Sequence, residues 1–337
     1  MKPTIKDVAK LANVSISTVS RVMNSPDSVV ESKKVRVLDA IDKLKYKPNA
    51  LARGLIYKKT NTIGVIIPDI RNPYYADIIR GMEDASKKLG YSLIICNTDR
   101  DKKRLFSYLN NFYEKQIDGI LYTSDPVFPD YYHELQRLRM PIVLVSTHSM
   151  EYDLPSVKIN DEQAAYDAVK FLIDSGHRKI GMIAFELTDG IAGWTRYHGF
   201  VRALREHDLE ECKDNVVFVE GWTYETPDAA ASTLLSKCPD LSAVFTVSDE
   251  LAIGLLCYLN EQGIKVPEQI SVIGFDNIRL AKLTVPKLTT VAQPTYEIGY
   301  RSVEKLNAII EQQEDPVLRE YLPHEVIERA STRRLNR

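Results

Sequence analysis

From Asn61 onward the chain alternates short β-branched runs with helix-length amphipathic segments, and it does so twice. TIGVIIPD (62–69), YSLIICN (91–97), DGILYTS (118–124) and PIVLVST (141–147) read as buried strands. A helical stretch from about Tyr74 to Lys88 follows the first of them. The same order returns as RKIGMIAF (178–185), NVVFVEG (215–221), SAVFTVSD (242–249) and ISVIGFD (270–276). Strands this uniformly apolar need cover on both faces, and helices that alternate with them supply it. The repeat therefore predicts two parallel-sheet α/β subdomains with right-handed crossovers. A ligand then belongs in the cleft between them, outside the carboxyl ends of the strands.

The 337 residues are enough for two or three domains. Net charge is −2 for the whole chain, yet residues 1–60 hold 13 Lys/Arg against 5 Asp/Glu, which is +8 and leaves −10 for the rest. A basic module on an acidic body implies a polyanionic partner for the module. Cys96, Cys212, Cys238 and Cys257 show no zinc spacing, so we expect free thiols, no metal and no cofactor. The start, MKPTIKDVAK, lacks an apolar signal core, and no run approaches a membrane span, so the expectation is a cytoplasmic protein. G-x-G-x-x-G, Walker, G-x-S-x-G and H-E-x-x-H motifs are absent, which argues against the common enzyme classes.

Within the basic module, Ile5, Val8, Ala9 and Ala12 make a helical stripe that Thr4 can cap, and Asn13-Val14 breaks it. Ser15 caps a second helix to about Met23. A third is expected from Ser32 to Leu44, with Val35, Leu38, Ile41 and Leu44 inward. Two short helices, a tight turn and a brace form a helix-turn-helix unit, whose second helix enters the DNA major groove. Its outward face gathers Ile16, Ser17, Ser20 and Arg21. Arg21 suits guanine O6/N7, the serines suit bases or phosphate, and Ile16 suits a thymine methyl. Thr18 and the helix N-terminus suit phosphate oxygens, and Thr4 and Asn24 complete the expected DNA-contacting set of this unit.

TIKDVAKLANVSISTVSRVMN (4–24) and KYKPNALARGL (45–55) resemble the headpiece and hinge of the lactose-repressor (LacI/GalR) family of bacterial transcription regulators. The likeness extends along the chain through PDIRNPYYADIIRGMED (68–84), SGHRKIGMI (175–183), the arginine of WTRYHGF (194–200), SDELAIG (248–254), VPEQISVIGFDN (266–277) and LTTVAQP (288–294). It implies a small all-α helix-turn-helix headpiece (1–48), joined by a hinge helix and linker (49–60) to an α/β core like a periplasmic binding protein. One core subdomain would comprise 61–160 plus 291–321 and the other 161–290 plus 322–337, with crossovers near 159–161, 289–292 and 321–323. The hinge Asn49–Leu55 would pair with its copy and lever Leu55 into the minor groove, where small Ala52 permits close approach. Gly54 inside that helix departs from helix-favouring residues at a cost of about 1 kcal/mol.

Carried over residue by residue, the resemblance implies an effector site from Asp69, Tyr74 and Tyr75 on one side and Arg196, Asp249 and Asp276 on the other. Trp222 would offer a platform and Gln293 would lie where the chain recrosses the cleft. Carboxylates and a guanidinium side by side suit vicinal hydroxyls. Ser248-Asp249, Asn160-Asp161 and the segment after Gly221 depart from common family patterns, so no one member's ligand is copied. The implied protein is a homodimeric repressor on a pseudo-palindromic operator, switched by a small carbohydrate-like metabolite. The alternatives are a catabolite-control regulator answering to a phosphorylated carrier protein near Tyr296–Leu306, and a sugar-binding protein without DNA function. The tail ERASTRRLNR has no leucine heptad, so no coiled-coil tetramer is expected.

Overall fold

The computed structural model describes residues 3–46, 59–209, 213–219, 227–313 and 317–335. The chain divides into two compact units, residues 1–60 and 61–337. The expected hinge residues Asn49, Ala52 and Leu55, and Trp222, lie outside the described residues.

In the first unit, α1 (Ile5–Ala12) starts at Thr4, whose backbone N–H donates to Asp7 Oδ2 at 2.8 Å. Asn13 closes it in the left-handed region at φ 49°. Ser15 then caps α2 (Ile16–Asn24), its Oγ accepting from the Thr18 N–H at 3.2 Å. Val8, Ala9, Ala12, Val19 and Val22 pack with Val37, Ala40 and Tyr46 around the brace α3 (Glu31–Leu44). One expectation is corrected: Val35 and Leu38 are exposed. The buried stripe of α3 runs Val37, Ala40, Ile41, Leu44, an i, i+3, i+4, i+7 set that contains alanine and is less conspicuous than the aliphatics two places ahead.

Among the described residues the second unit holds two six-stranded sheets. In order of appearance the chain forms β1 (Thr62–Ile67), α4 (Tyr74–Leu89), β2 (Ser92–Asn97), α5 (Lys102–Glu114), β3 (Gly119–Thr123), α6 (Pro129–Leu138), β4 (Ile142–Val145) and β5 (Ser156–Ile159). It continues with α7 (Asp161–Asp174), β6 (Ile180–Phe185), α8 (Trp194–Glu206), β7 (Val216–Val219), α9 (Pro227–Lys237), β8 (Ala243–Thr246), α10 (Asp249–Glu261) and β9 (Ser271–Asp276). Last come β10 (Thr289–Ala292), α11 (Thr295–Ile310), β11 (Arg319–Leu322) and β12 (Glu325–Ile327). The sheet orders are β11-β5-β4-β3-β1-β2 in one lobe and β12-β10-β9-β8-β6-β7 in the other. Every pairing is parallel except β10 with β12.

Three crossings join the lobes: after β5, after β10 and between β11 and β12. The strand ends correct two expected boundaries, since Val291 and Ala292 belong to the second-lobe sheet and Leu322 to the first-lobe sheet. Strands β5, β10, β11 and β12 are four residues or fewer, too short to stand out from loops by periodicity.

Helix α4 lies against α11 at glycine contacts. A Cβ on Gly81 would stand 2.0 Å from the Tyr296 carbonyl oxygen, and one on Gly299 would stand 2.0 Å from that of Ile78. Gly81→Val should therefore destabilise the core by about 1–3 kcal/mol, as overpacking against rigid backbone does. Urea unfolding measures this. A midpoint equal to wild type would show that the helices do not approach so closely.

Candidate functional site

Two surfaces assemble the residues singled out from the sequence. On α2, Ile16 is 44% exposed, and Ser17 and Arg21 are exposed beside it, with Thr18 and Ser20 half-buried. Arg21 has no ion pair among the described residues, whereas Lys34 and Lys43 on α3 face Glu31 and Asp39. The Ser17 and Thr18 hydroxyls both lie within hydrogen-bond reach of Ser15 Oγ, at 2.8 and 2.9 Å, which holds the start of the helix in place. An exposed isoleucine beside a guanidinium with no acid partner among the described residues is a poor water-facing surface and a good groove-facing one. Thr4 spends its hydroxyl on Asp7, and Asn24 is the last residue of α2.

In the core, the strand-end loops of both lobes converge on a small hinge chamber of about 20 Å³, lined among others by Tyr74, Ser124, Ser146, Arg196, Ser248 and Asp276. Ser124, Ser146 and Asp276 stand at φ 54°, 56° and 120°. A left-handed backbone at three non-glycine residues costs on the order of 1–3 kcal/mol each and is a mark of functional sites. Tyr74 Oη lies 2.8 Å from Ser146 Oγ and donates to Gln293 Oε1 at 3.1 Å, and Gln293 Nε2 donates to Asp276 Oδ1 at 2.8 Å. Arg196 lies 3.8 Å from Asp276, donates to Asp161 Oδ1 from Nε at 3.1 Å and Nη2 at 2.8 Å, and stacks 3.7 Å from the Phe275 ring centre. Asp161 takes Lys158 Nζ on its other oxygen at 2.8 Å. Since Tyr74 and Lys158 belong to the first lobe and Arg196 and Asp276 to the second, this buried chain of bonds ties the lobes at the hinge.

The protonation states follow from burial and neighbours. Burial lifts the Asp276 carboxyl to about 7, against the pull of Arg196 and Gln293. Burial also pushes up Asp161, but Lys158 and Arg196 outweigh it and hold it below the usual carboxylate value. Burial, helped by Asp276, keeps the Tyr74 phenol neutral and donating.

Four sequence candidates, Tyr74, Arg196, Asp276 and Gln293, thus form one network; three others do not join it. Asp69 is held low by a bidentate Arg71 on the exposed β1–α4 loop. Tyr75 is buried in the first-lobe core, where its hydroxyl and that of Ser124 have only each other as partner among the described residues. Asp249 is fully buried at the start of α10, accepting from Thr290 Oγ1 at 2.5 Å and the Ile278 N–H at 2.9 Å. It braces β9 and β10 from behind rather than lining the chamber.

A second, larger chamber of about 290 Å³ opens at the cleft mouth, and none of its lining is shared with the first. Arg100 crosses it, with Nε 3.3 Å from Asp125 on its own lobe and Nη2 3.4 Å from Asp189 on the other. Sequence reasoning missed all three, because they lie on separate loops with no mutual spacing. Asp161 and Lys158 were missed as a buried pair, though an acid directly after a strand at a lobe crossing is a signal.

The profile of bacterial regulatory proteins of the lacI family matches residues 4–49, and that of periplasmic binding proteins and the sugar binding domain of the LacI family matches residues 60–330. Over 333 residues the sequence is 39% identical to catabolite control protein A of Priestia megaterium, covering 99% of this chain and 100% of that protein. Among solved structures, the transcriptional regulator CelR in complex with cellobiose is 29% identical, with a TM-score of 0.75 over 98% of this chain and 99% of that one. The lac repressor dimer bound to operator and the anti-inducer ONPF superposes with a TM-score of 0.87 over 99% and 100% of the two chains. At 22% identity that last likeness speaks for the fold. Among the described residues no helix is long and apolar enough to cross a membrane.

Proposed function

The chain belongs to the LacI family of bacterial regulatory proteins, and from that premise we propose that it is a homodimeric repressor of carbohydrate-use genes. Its operator affinity is switched by a small polyhydroxylated metabolite in the interlobe cleft. The observation that carries this reading is the hinge network, in which Tyr74 and Lys158 from one lobe meet Gln293, Asp276, Asp161 and Arg196 at the crossings. A ligand biases DNA affinity only through an arrangement of lobes it binds better, and donors and acceptors shared across a hinge are groups that a polyhydroxylated ligand engages in one arrangement and not another. The hinge chamber holds about one water's volume as it stands, so a sugar enters there only as the lobes part. The complex of the relative CelR with cellobiose supports a sugar in this cleft.

A dimer is supported by the core surface after β9, where Leu283 and Val285 are 73% and 93% exposed. Two-fold symmetry would double a short half-site into a pseudo-palindrome. Fluorescence anisotropy of the full chain on its own upstream DNA, with and without a panel of sugars, tests the reading. Binding that no sugar or sugar derivative alters would leave a DNA-binding regulator without the proposed effector.

Asp276→Asn should abolish the effector response while operator affinity stays within a few-fold of wild type, since coupling energies are typically about 1–3 kcal/mol. It also has a pH signature. With its carboxyl raised to about 7 in the folded chain, Asp276 contributes stability that is present below its unfolded value and lost as pH rises through about 7. The asparagine does not titrate, so the melting temperature of the variant relative to wild type should climb between pH 5 and pH 8. A difference that stays flat or falls would show that Asp276 is not buried as described.

A second reading, control by a phosphorylated carrier protein docking near Tyr296–Leu306, is favoured by the whole-length likeness to a catabolite control protein. The cations of that face already hold acids: Arg301 faces Glu304 and Glu320, Lys305 faces Glu320, and Lys88 faces Glu304. A phosphate there would have to displace them. Adding such a carrier, with and without its phosphate, to the same anisotropy experiment separates the two readings.

A further inference from the structure

The mouth chamber has a chemistry of its own. Its volume, about 290 Å³, lies at the lower end of the range for small-molecule sites. Apolar and aromatic walls face each other across it, Phe128 and Tyr131 from one lobe and Phe185 and Val219 from the other.

Between those walls the charges do not balance. Asp101, Asp125, Glu186 and Asp189 line the chamber, and among the described lining residues Arg100 is the one cation. Asp101 is engaged in capping α5 through the Arg104 N–H at 2.8 Å. Asp189 Oδ1 accepts from the N–H groups of Ile191, Ala192 and Gly193 at 3.0, 2.7 and 3.3 Å, which leaves Oδ2 toward Arg100. The guanidinium is shared between Asp125 and Asp189 at 3.3 and 3.4 Å, long single contacts rather than the paired short ones of a strong carboxylate clasp. Two successive left-handed residues, Asp99 at φ 50° and Arg100 at φ 57°, hold it there. Burial lifts Asp125 to about 6 against the pull of Arg100, and the like charge of Asp189 adds a smaller push in the same direction. Among the described residues the carboxylates of the lining outnumber its cation. Ser124, which follows β3 next to Asp125, lines the hinge chamber, and the buried hydroxyls of Ser124 and Tyr75 have only each other as partner among the described residues, which leaves bonding capacity unspent.

We propose that the mouth chamber binds an ammonium group, held at the carboxylates beside Arg100 with the ligand's flat face on the aromatic walls. The effector class of the cleft is then an amino sugar rather than a neutral sugar or a sugar phosphate. This rests on the reading of the cleft as an effector site. An ammonium supplies three donors where acceptors are in surplus, and an aromatic wall favours a cation further. A phosphate would face four carboxylates across one arginine. The ligand's hydroxyls lie toward the hinge chamber, where Ser124 has bonding capacity left beyond Tyr75.

Isothermal titration of the full-length protein at pH 6.5 with glucosamine, galactosamine and mannosamine, each beside its neutral parent hexose, its N-acetyl form and its 6-phosphate, tests this. We expect at least one amine to bind about 10- to 100-fold more tightly than its neutral and N-acetyl counterparts, the worth of one hydrogen bond to a charged group. Asp125→Asn should erase most of that preference. Glu186→Gln, on the exposed rim and so harmless to folding, should reduce it several-fold. A neutral hexose or its 6-phosphate that binds as well as the amine overturns the amine inference and leaves the effector cleft standing. If none of the probes binds while operator DNA still does, both the inference and the sugar-effector reading fall.

Discussion

Arg196→Ala should lower the unfolding free energy of the core by about 3–5 kcal/mol, the usual result of removing one partner from a buried ion pair. Arg196 is 6% exposed, its guanidinium bonded to Asp161 and to the Val247 carbonyl oxygen and stacked on Phe275. Without it, Asp161 keeps Lys158 alone and Asp276 loses the charge that pulls against its burial. At about 2–4 °C per kcal/mol for domains of this size, the melting temperature should fall by some 6–20 °C. The sequence alone casts Arg196 as a ligand residue whose loss would silence the effector and spare the rest. Its burial changes that expectation, and lost response in Arg196→Ala is not by itself evidence for a pocket role. Differential scanning calorimetry decides it: a melting temperature within a degree or two of wild type would mean that Arg196 is not embedded as described.

Arg21→Ala should weaken binding to the specific operator by about 1–3 kcal/mol for each half-site. In a dimer the loss approaches about 2–6 kcal/mol, or roughly 30-fold to 10⁴-fold, since well-separated positions add. The guanidinium is exposed on the outer face of α2, unpaired by any acid among the described residues, next to exposed Ile16 and Ser17. Non-specific binding should suffer far less, because it depends on the summed phosphate contacts of the +8 headpiece rather than on one base edge. Anisotropy on operator and scrambled duplexes at two salt concentrations separates the two. Equal losses on both duplexes would make Arg21 a phosphate contact and not a base reader.

How much of this was legible beforehand depends on the range of the interaction. The helix-turn-helix, its caps at Thr4 and Ser15, and the outward face of α2 follow from local spacing, because a helix places residues three and four apart on one side whatever surrounds it. The eight long apolar runs likewise announced a twice-built parallel α/β core, since only strands covered on both faces can be so uniformly apolar. Where local signals were weak, the reading slipped. Val35 and Leu38 look like core on a helical wheel, yet α3 turns Val37 and Ala40 inward.

The site divides along the same line. Residue identity and family likeness pointed to Tyr74, Arg196, Asp276 and Gln293, but could not tell a side chain facing the cleft from one turned into a lobe. Asp249 is an acid at a strand end like Asp276, and only the packing of β9 against β10 sends its carboxylate to Thr290 and Ile278 instead. Lys158 with Asp161, and Arg100 with Asp125 and Asp189, are pairings across loops and lobes. Sequence determined the two modules, their elements and the chemical types available to the cleft, because those depend on contacts a few residues apart. Tertiary structure alone decided which acids share a cation and which chamber is open, because charge balance and burial are set by neighbours that the chain brings together from many residues away.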